Sequence, residues 1–279
     1  MIRLLQIEFQ KIWKNRSSKI LSIAYFVILS FIALIASIKF NIGTFELHIA
    51  DQGIFNFPYI WHFNTYIAAI LKFFLAIVIV SMMANEYSYG TLKQNLIDGL
   101  SKKEFIQSKF LTVVVFAFAS TLFVFIMSLI LGLSFSSYNE IDIIFSDLEY
   151  IVAYFIKLVA FFSFCLFLGI LVKRSAFAIG FLFIWNIIEG IIIGVLKWKI
   201  FPNSNTSQSI TQFLPLEAMA NLIKEPFTRL SVIKNIETTI GGEVAAKDYG
   251  VHWYSLAIVI CWIVIFMLMS YKIIQKRDL

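Results

Sequence analysis

Residues 150–172 read YIVAYFIKLVAFFSFCLFLGILV, an apolar run carrying a single charge, Lys157. A helix needs about 20 such residues to cross a hydrocarbon core of about 30 Å. The run is continuous and does not alternate, so it predicts a helix and not a barrel strand, the other structure that satisfies its backbone in lipid. Five further runs of the same kind occupy 20–38, 61–84, 109–134, 176–196 and 253–274. Together they predict an all-α polytopic membrane protein with six transmembrane helices. Composition agrees, with 60% hydrophobic and 14% charged residues, against about 45–50% and 25% in soluble domains. Pro58, Pro202, Pro215 and Pro226 all fall outside the runs, so the spans are predicted to be unbroken. The first run is longer than a signal-peptide core and follows a long basic segment, so it reads as a retained span.

The net charge of +6 does not gather into a nucleic-acid patch, because the cations flank the apolar runs. Arg3, Lys11, Lys14, Arg16 and Lys19 precede the first run, and Lys93, Lys102, Lys103 and Lys109 separate the second from the third. Lys173 and Arg174 follow the fourth, and Lys272, Lys276 and Arg277 close the chain. The opposite short loops hold Lys39 with Glu140, Asp142, Asp147 and Glu149. By the positive-inside rule both termini are cytoplasmic, in a cell membrane of bacterial type. Trp61, Tyr66, Trp198, Trp253 and Tyr254 are expected at the outer interface, and Tyr271 at the inner one. Cys165 and Cys261 lie inside apolar runs without metal-ligand spacing and read as buried side chains.

Three segments of this single domain (1–279) do not span. In 1–19, Leu5, Phe9, Ile12 and Trp13 share one helical face, with Glu8, Lys11, Lys14 and Asn15 on another. That pattern predicts an amphipathic helix along the inner membrane surface, or alternatively an extension of the first span. In 85–108, Gly90 interrupts the helix, and Thr91 with Gln94 forms a candidate capping box. Leu92, Leu96 and Ile97 make a short apolar stripe, Gly99 suits the C′ position, and Ser101 with Glu104 forms a second box that launches the third span. The segment 197–252 is an outer insertion. Pro215 should start a helix through Leu222, Pro226 a further one, and Gly241–Gly242 a turn. Phe213, Leu214, Leu216, Met219 and Leu222 should pack that insertion on the bundle.

Lys72, Lys157 and Glu189 are the charges inside the spans. A central lysine costs about 2.5–3.5 kcal/mol on insertion scales. The three fall at comparable depth, so an intramembrane charge cluster in which Glu189 neutralises one or both lysines is expected. Snorkelling to headgroups is the alternative for the lysines, and a contact with substrate remains open for all three. Catalytic constellations are missing. His48, His62 and His252 sit at or beyond the outer boundary, there is no P-loop, and no paired Gly/Pro-broken helices mark a secondary transporter. No enzyme activity and no bound cofactor are expected, so a partner would supply the work.

From Ala84 the chain reads ANEYSYGTLKQNLIDGLSKKEFIQSKFL. This resembles the segment after the second span in type-2 ABC permeases, the membrane subunits of ATP-binding-cassette exporters, with matching positions at Glu86, Gly90, Thr91, Leu92, Leu96, Ser101, Lys102 and Lys109. Residues 1–19 are similar to that family's elbow helix, Gln212 to Pro215 to its outer insertion, and Gln275-Lys276-Arg277-Asp278 to its basic tail. The resemblance covers the whole chain as topology and 84–110 as sequence; the family's usual proline is replaced by Gly99-Leu100-Ser101-Lys102. It implies a pair of permeases, identical or different, in the lipid bilayer above cytosolic ABC ATPase subunits that hold ATP and Mg. It also implies that 92–98 is the coupling helix, with Glu86, Gly90, Thr91, Leu92, Leu96 and Ile97 coupling to the ATPase. A six-span scaffold without transport and an ATP-independent transporter or channel are the rival readings.

Overall fold

Asn15 ends one helix and starts another. Its backbone is extended and its side chain accepts a hydrogen bond from the Ser18 N–H at 3.0 Å, an N-cap that satisfies one of the free amides of a helix start. The N-terminal helix α1 (Ile2–Lys14) is therefore separate from the first long helix α2 (Arg16–Ser37). The computed structural model describes residues 2–42, 45–48, 53–138, 140–202, 206–229 and 248–277. The Gly241–Gly242 turn and Asp278 of the basic tail lie outside them.

After α2 come two short antiparallel strands, β1 (Lys39–Ile42) and β2 (Phe45–His48), paired Lys39 to His48 and Ile42 to Phe45. This ribbon is an addition to the helices expected from sequence. Next follow α3 (Tyr59–Ser88), α4 (Thr91–Ile97), α5 (Lys102–Phe135), the single turn α6 (Ile141–Ile144), α7 (Glu149–Val172) and α8 (Ser175–Val195). A π-helical turn, Leu196–Ile200, extends α8. The insertion holds α9 (Thr206–Thr211), α10 (Pro215–Asn221) and a 3₁₀ turn at Phe227–Arg229 before the last helix, α11 (Trp253–Lys276). Six helical segments are long and apolar enough to cross a membrane, so this is a multi-pass membrane protein, and the prolines stand outside the helical spans as expected.

The span that ends in α7 is the centre of the bundle: 78% of its most apolar window is buried, against 11% for α8 and 17% for α2. Gly169 lets α7 approach α3 closely, since a Cβ there would stand 3.0 Å from Met83 Cβ; small residues serve this purpose where backbones pack in membranes. Three buried hydroxyls tie α7 to two neighbours. Tyr25 of α2 lies 2.5 Å from Ser120 of α5 and 2.7 Å from Tyr154 of α7, with Ser120 and Tyr154 3.0 Å apart. Such interhelical bonds satisfy polar groups that lipid cannot. The outer faces of α2 and α8 keep Phe31, Leu34, Phe183 and Ile187 exposed, surfaces suited to apolar surroundings.

Two aromatic expectations change. Trp61 is completely buried, donating from Nε1 to the Ile144 carbonyl at 2.8 Å and stacking on Phe125, so it is a core residue and not an interfacial anchor. Trp198 and Trp253, by contrast, are 80% and 79% exposed. On α1, Ile12 is buried and Phe9 stacks on Phe116 of α5, but Trp13 points outward. It leaves the predicted face because α1 packs against α5 through Glu8 and Phe9, and the Lys19 ammonium caps its ring at 4.9 Å.

Candidate functional site

The connection from α3 to α5 is built from local signals. Gly90, at φ +66°, is the N-cap of α4, a conformation in which side-chain-bearing residues are strained. The capping box expected at Thr91 and Gln94 does not form. Thr91 is already the first helical residue, and its hydroxyl donates to Glu86 Oε2 at 2.5 Å. A charge-assisted bond of this kind is stronger than a neutral cap. At the other end the sequence expectation holds: Gly99 sits at C′ with φ +97°. Its N–H donates to the Leu96 carbonyl at 3.2 Å and that of Leu100 to the Asn95 carbonyl at 3.0 Å, the Schellman arrangement. Ser101 and Glu104 form the reciprocal box that starts α5.

Glu86 is the hub. It is 2% exposed, and its Oε1 lies 2.6 Å from Lys109 Nζ of α5 and 2.8 Å from Lys11 Nζ of α1. Lys109, fully buried, reaches a second carboxylate, Glu8 Oε2 of α1, also at 2.6 Å. Lys11 lies 3.7 Å from Glu8 as well. Two acids and two lysines from three helices thus close a neutral network, and Thr91 attaches α4 to it. Burial opposes the charge on Lys11; its bond to Glu86 and the charges of Glu8 and Glu86 more than offset this and raise its pKa above the ordinary lysine value.

Within α4, Leu92 is buried and Leu96 half-buried against the core, while Ile97 is 74% exposed and Lys93 and Gln94 also face outward. The expected stripe is therefore split between an inward pair and an outward isoleucine. Tyr89, also 74% exposed, extends the outward surface. The same end of the bundle is tied by the chain's last described residue. Arg277 donates to the Tyr87 hydroxyl and the Ile170 carbonyl, each at 2.7 Å, and to the Leu171 carbonyl at 3.2 Å. Lys102 in turn donates to the carbonyls of Gln275 and Arg277.

At the opposite end the expected charge cluster takes another form. Among the described residues no ion pair joins Glu189 to Lys72 or Lys157. Glu189 accepts from the N–H groups of Leu216, at 3.0 and 3.2 Å, and Glu217, at 3.1 Å, and from Trp185 Nε1 at 2.6 Å. It is the carboxylate at the N-terminus of α10, where helix amides and dipole favour a negative charge. Lys157 reaches the other end of the same helix, with the carbonyls of Ala220 and Ile223 at 3.4 and 3.5 Å. Lys72 lies over the Phe161 ring at 4.3 Å. The insertion helix begins at Pro215 as expected and buries Met219 and Leu222, whereas Phe213 stays exposed. Pro226 is followed by the short 3₁₀ turn.

His62, expected at the outer boundary, is wholly buried and stacked on Tyr150 at 4.3 Å. Arg229 donates to its Nδ1 at 3.1 Å, which leaves Nε2 to carry the proton donated to the Lys224 carbonyl at 2.8 Å.

Residues 24–279 match the model of a family described as a protein of unknown function, DUF2705. This chain belongs to the DUF2705 family. A relative of this DUF2705 member, the uncharacterized protein YhcI of Bacillus subtilis (strain 168), is 22% identical over 221 residues, or 74% of the chain. The matched region spans 64% of that relative's length.

Glu8, Lys11 and Lys109 are the members of the hub whose roles sequence reading missed. Helical periodicity set Glu8 and Lys11 on the polar face, and Lys109 counted towards orientation and as a position of the family resemblance, with no ion-pair role. A signal was present in this DUF2705 sequence: Glu8 is the sole acid before Glu46, amid five cations of the first nineteen residues.

Proposed function

We propose that this chain is the permease subunit of an ATP-binding-cassette exporter. It would pair with a second permease, identical or different, to form the path through a cell membrane, with both termini in the cytoplasm. Cytosolic ATPase subunits would bind ATP and Mg and press on α4. The observation that carries the reading is the Glu86 hub: α4 is short, starts at left-handed Gly90, closes in a Schellman turn at Gly99 and is exposed on one side. On the other side its Thr91 is bonded to Glu86 of α3, which buried ion pairs join to α1 and α5. A push on the Ile97 surface has a stiff route into two bundle elements, which is what a coupling helix requires. The surface groups Tyr89, Lys93 and Ile97 offer an aromatic, a cation and an aliphatic anchor to a groove. The apolar faces of α2 and α8 leave room for the second permease or for lipid.

The test is purification of the tagged full-length chain from its native membrane, with the accompanying ATPase identified by its P-loop peptide and its hydrolysis measured. Ile97→Asp alters an exposed residue and leaves the hub intact. We expect at least tenfold less ATPase with the variant at equal membrane insertion, as loss of an interface anchor worth about 1.4 kcal/mol or more implies. A wild-type chain that brings no ATPase, or a variant that retains the same amount and activity, would overturn the proposal.

A further inference from the structure

Beside the hub, where α1, α2, α3 and α4 meet, lies an open cavity of about 340 Å³. This is within the range of about 300–1,000 Å³ typical of small-molecule sites. Its wall is graded. Ile12 and Met82, both buried, make an apolar side, while Lys14, Asn15, Ser18 and Asn85 make a polar one. Glu86 and Lys11 also line it, but their charges are spent within the neutral network of two acids and two lysines. Lys14 joins no ion pair among the described residues, so the cavity's surplus is a single positive charge. The first turn of the 22-residue helix α2 adds the positive end of its dipole.

The place of the cavity narrows its occupant. Helix α1 exposes Ile2, Ile7 and Trp13 together with Arg3 and Lys14, the mixture of apolar and cationic groups that seats a helix at headgroup depth. The apolar run of α2 begins directly beyond the cavity, at Ile20. A ligand here meets water on one side and acyl chains on the other. We propose that this cavity binds the headgroup of a singly charged anionic phospholipid. The phosphodiester lies against Lys14, Asn15 and Asn85, and the start of an acyl chain lies along Ile12 and Met82. The site stands apart from the exporter reading and needs only that α1 lie in the interface. Because Thr91 and Tyr89 also line the cavity, a bound lipid would touch the α4 connection.

The experiment is native mass spectrometry of the purified full-length chain in detergent, titrated with phosphatidylglycerol and, separately, with phosphatidylcholine of the same acyl chains. The expected result is one retained phosphatidylglycerol, with phosphatidylcholine held more weakly. Lys14→Gln should weaken phosphatidylglycerol binding roughly fivefold, the effect of one cation near an anionic surface. Asn85→Trp, which fills the cavity, should abolish it, and Lys276→Gln, outside the cavity, should leave it unchanged. Equal binding of the two lipids, an unchanged Lys14→Gln variant, or an equal loss in Lys276→Gln would overturn the proposal. Displacement of the lipid by millimolar glycerol phosphate would assign the site to a soluble phosphate and overturn the lipid assignment as well.

Discussion

Lys109 and Lys157 are both buried lysines within membrane-spanning helices, 0% and 4% exposed, yet their surroundings differ in kind. Lys109 has two carboxylates, each at 2.6 Å. Lys157 has two backbone carbonyls at 3.4 and 3.5 Å, beyond the usual hydrogen-bond range of about 2.7–3.2 Å. A buried charge is strongly held only when its partners repay its desolvation. The first lysine therefore joins helices, while the second is weakly repaid. Glu189 is intermediate between the two cases: among the described residues it has no cationic partner, but it has good backbone donors at a helix start.

The contrast breaks most sharply at Lys109. Lys109→Met leaves Glu8 and Glu86 facing each other with only Lys11 to balance them, and should lower unfolding stability by about 3–5 kcal/mol, read from denaturant or thermal unfolding in detergent. Thr91→Val removes one charge-assisted bond and should cost about 1.5–3 kcal/mol; exchange of the α4 amides with deuterium should quicken while that of α7 stays slow. Glu189→Gln keeps an acceptor but loses the charge at the start of α10, a change of about 1–2 kcal/mol, visible as faster exchange at Leu216 and Glu217. Lys157→Met, smallest of the four, should shift stability by less than about 1 kcal/mol and in either direction. If Lys157→Met proved as damaging as Lys109→Met, the distinction between the two lysines would fail.

Much of the architecture was legible because the bilayer imposes a simple rule on length and polarity. All six spans, the Asn15-adjacent N-terminal helix, the Gly99 stop and the Ser101–Glu104 start follow from local spacing. The site was legible only in part. Glu86 and Thr91 were singled out through the family resemblance, but the bond between them displaced the capping box that local pattern suggested at Thr91. Glu8 escaped because periodicity separates solvated from buried faces on the premise that charge seeks water, whereas here Lys109, 101 residues away, draws it inward. Glu189 lies in the candidate span α8, but its partners there are backbone N–H groups and Trp185, not the expected lysines, since backbone N–H groups have no sequence signature. Trp61 and His62 show the same limit: Trp61 meets Ile144 of α6 and Phe125 of α5, and His62 meets Lys224 and Arg229 of the returning insertion, contacts that no local window contains.

Glu86 and Lys109 should act as one unit holding α4 to the bundle. A double-mutant cycle with Glu86→Gln and Lys109→Met, followed by unfolding in detergent, tests it most directly. The double variant should lose less stability than the two single losses combined, with a coupling of about 1–3 kcal/mol. Losses that add to within about 0.5 kcal/mol would contradict it.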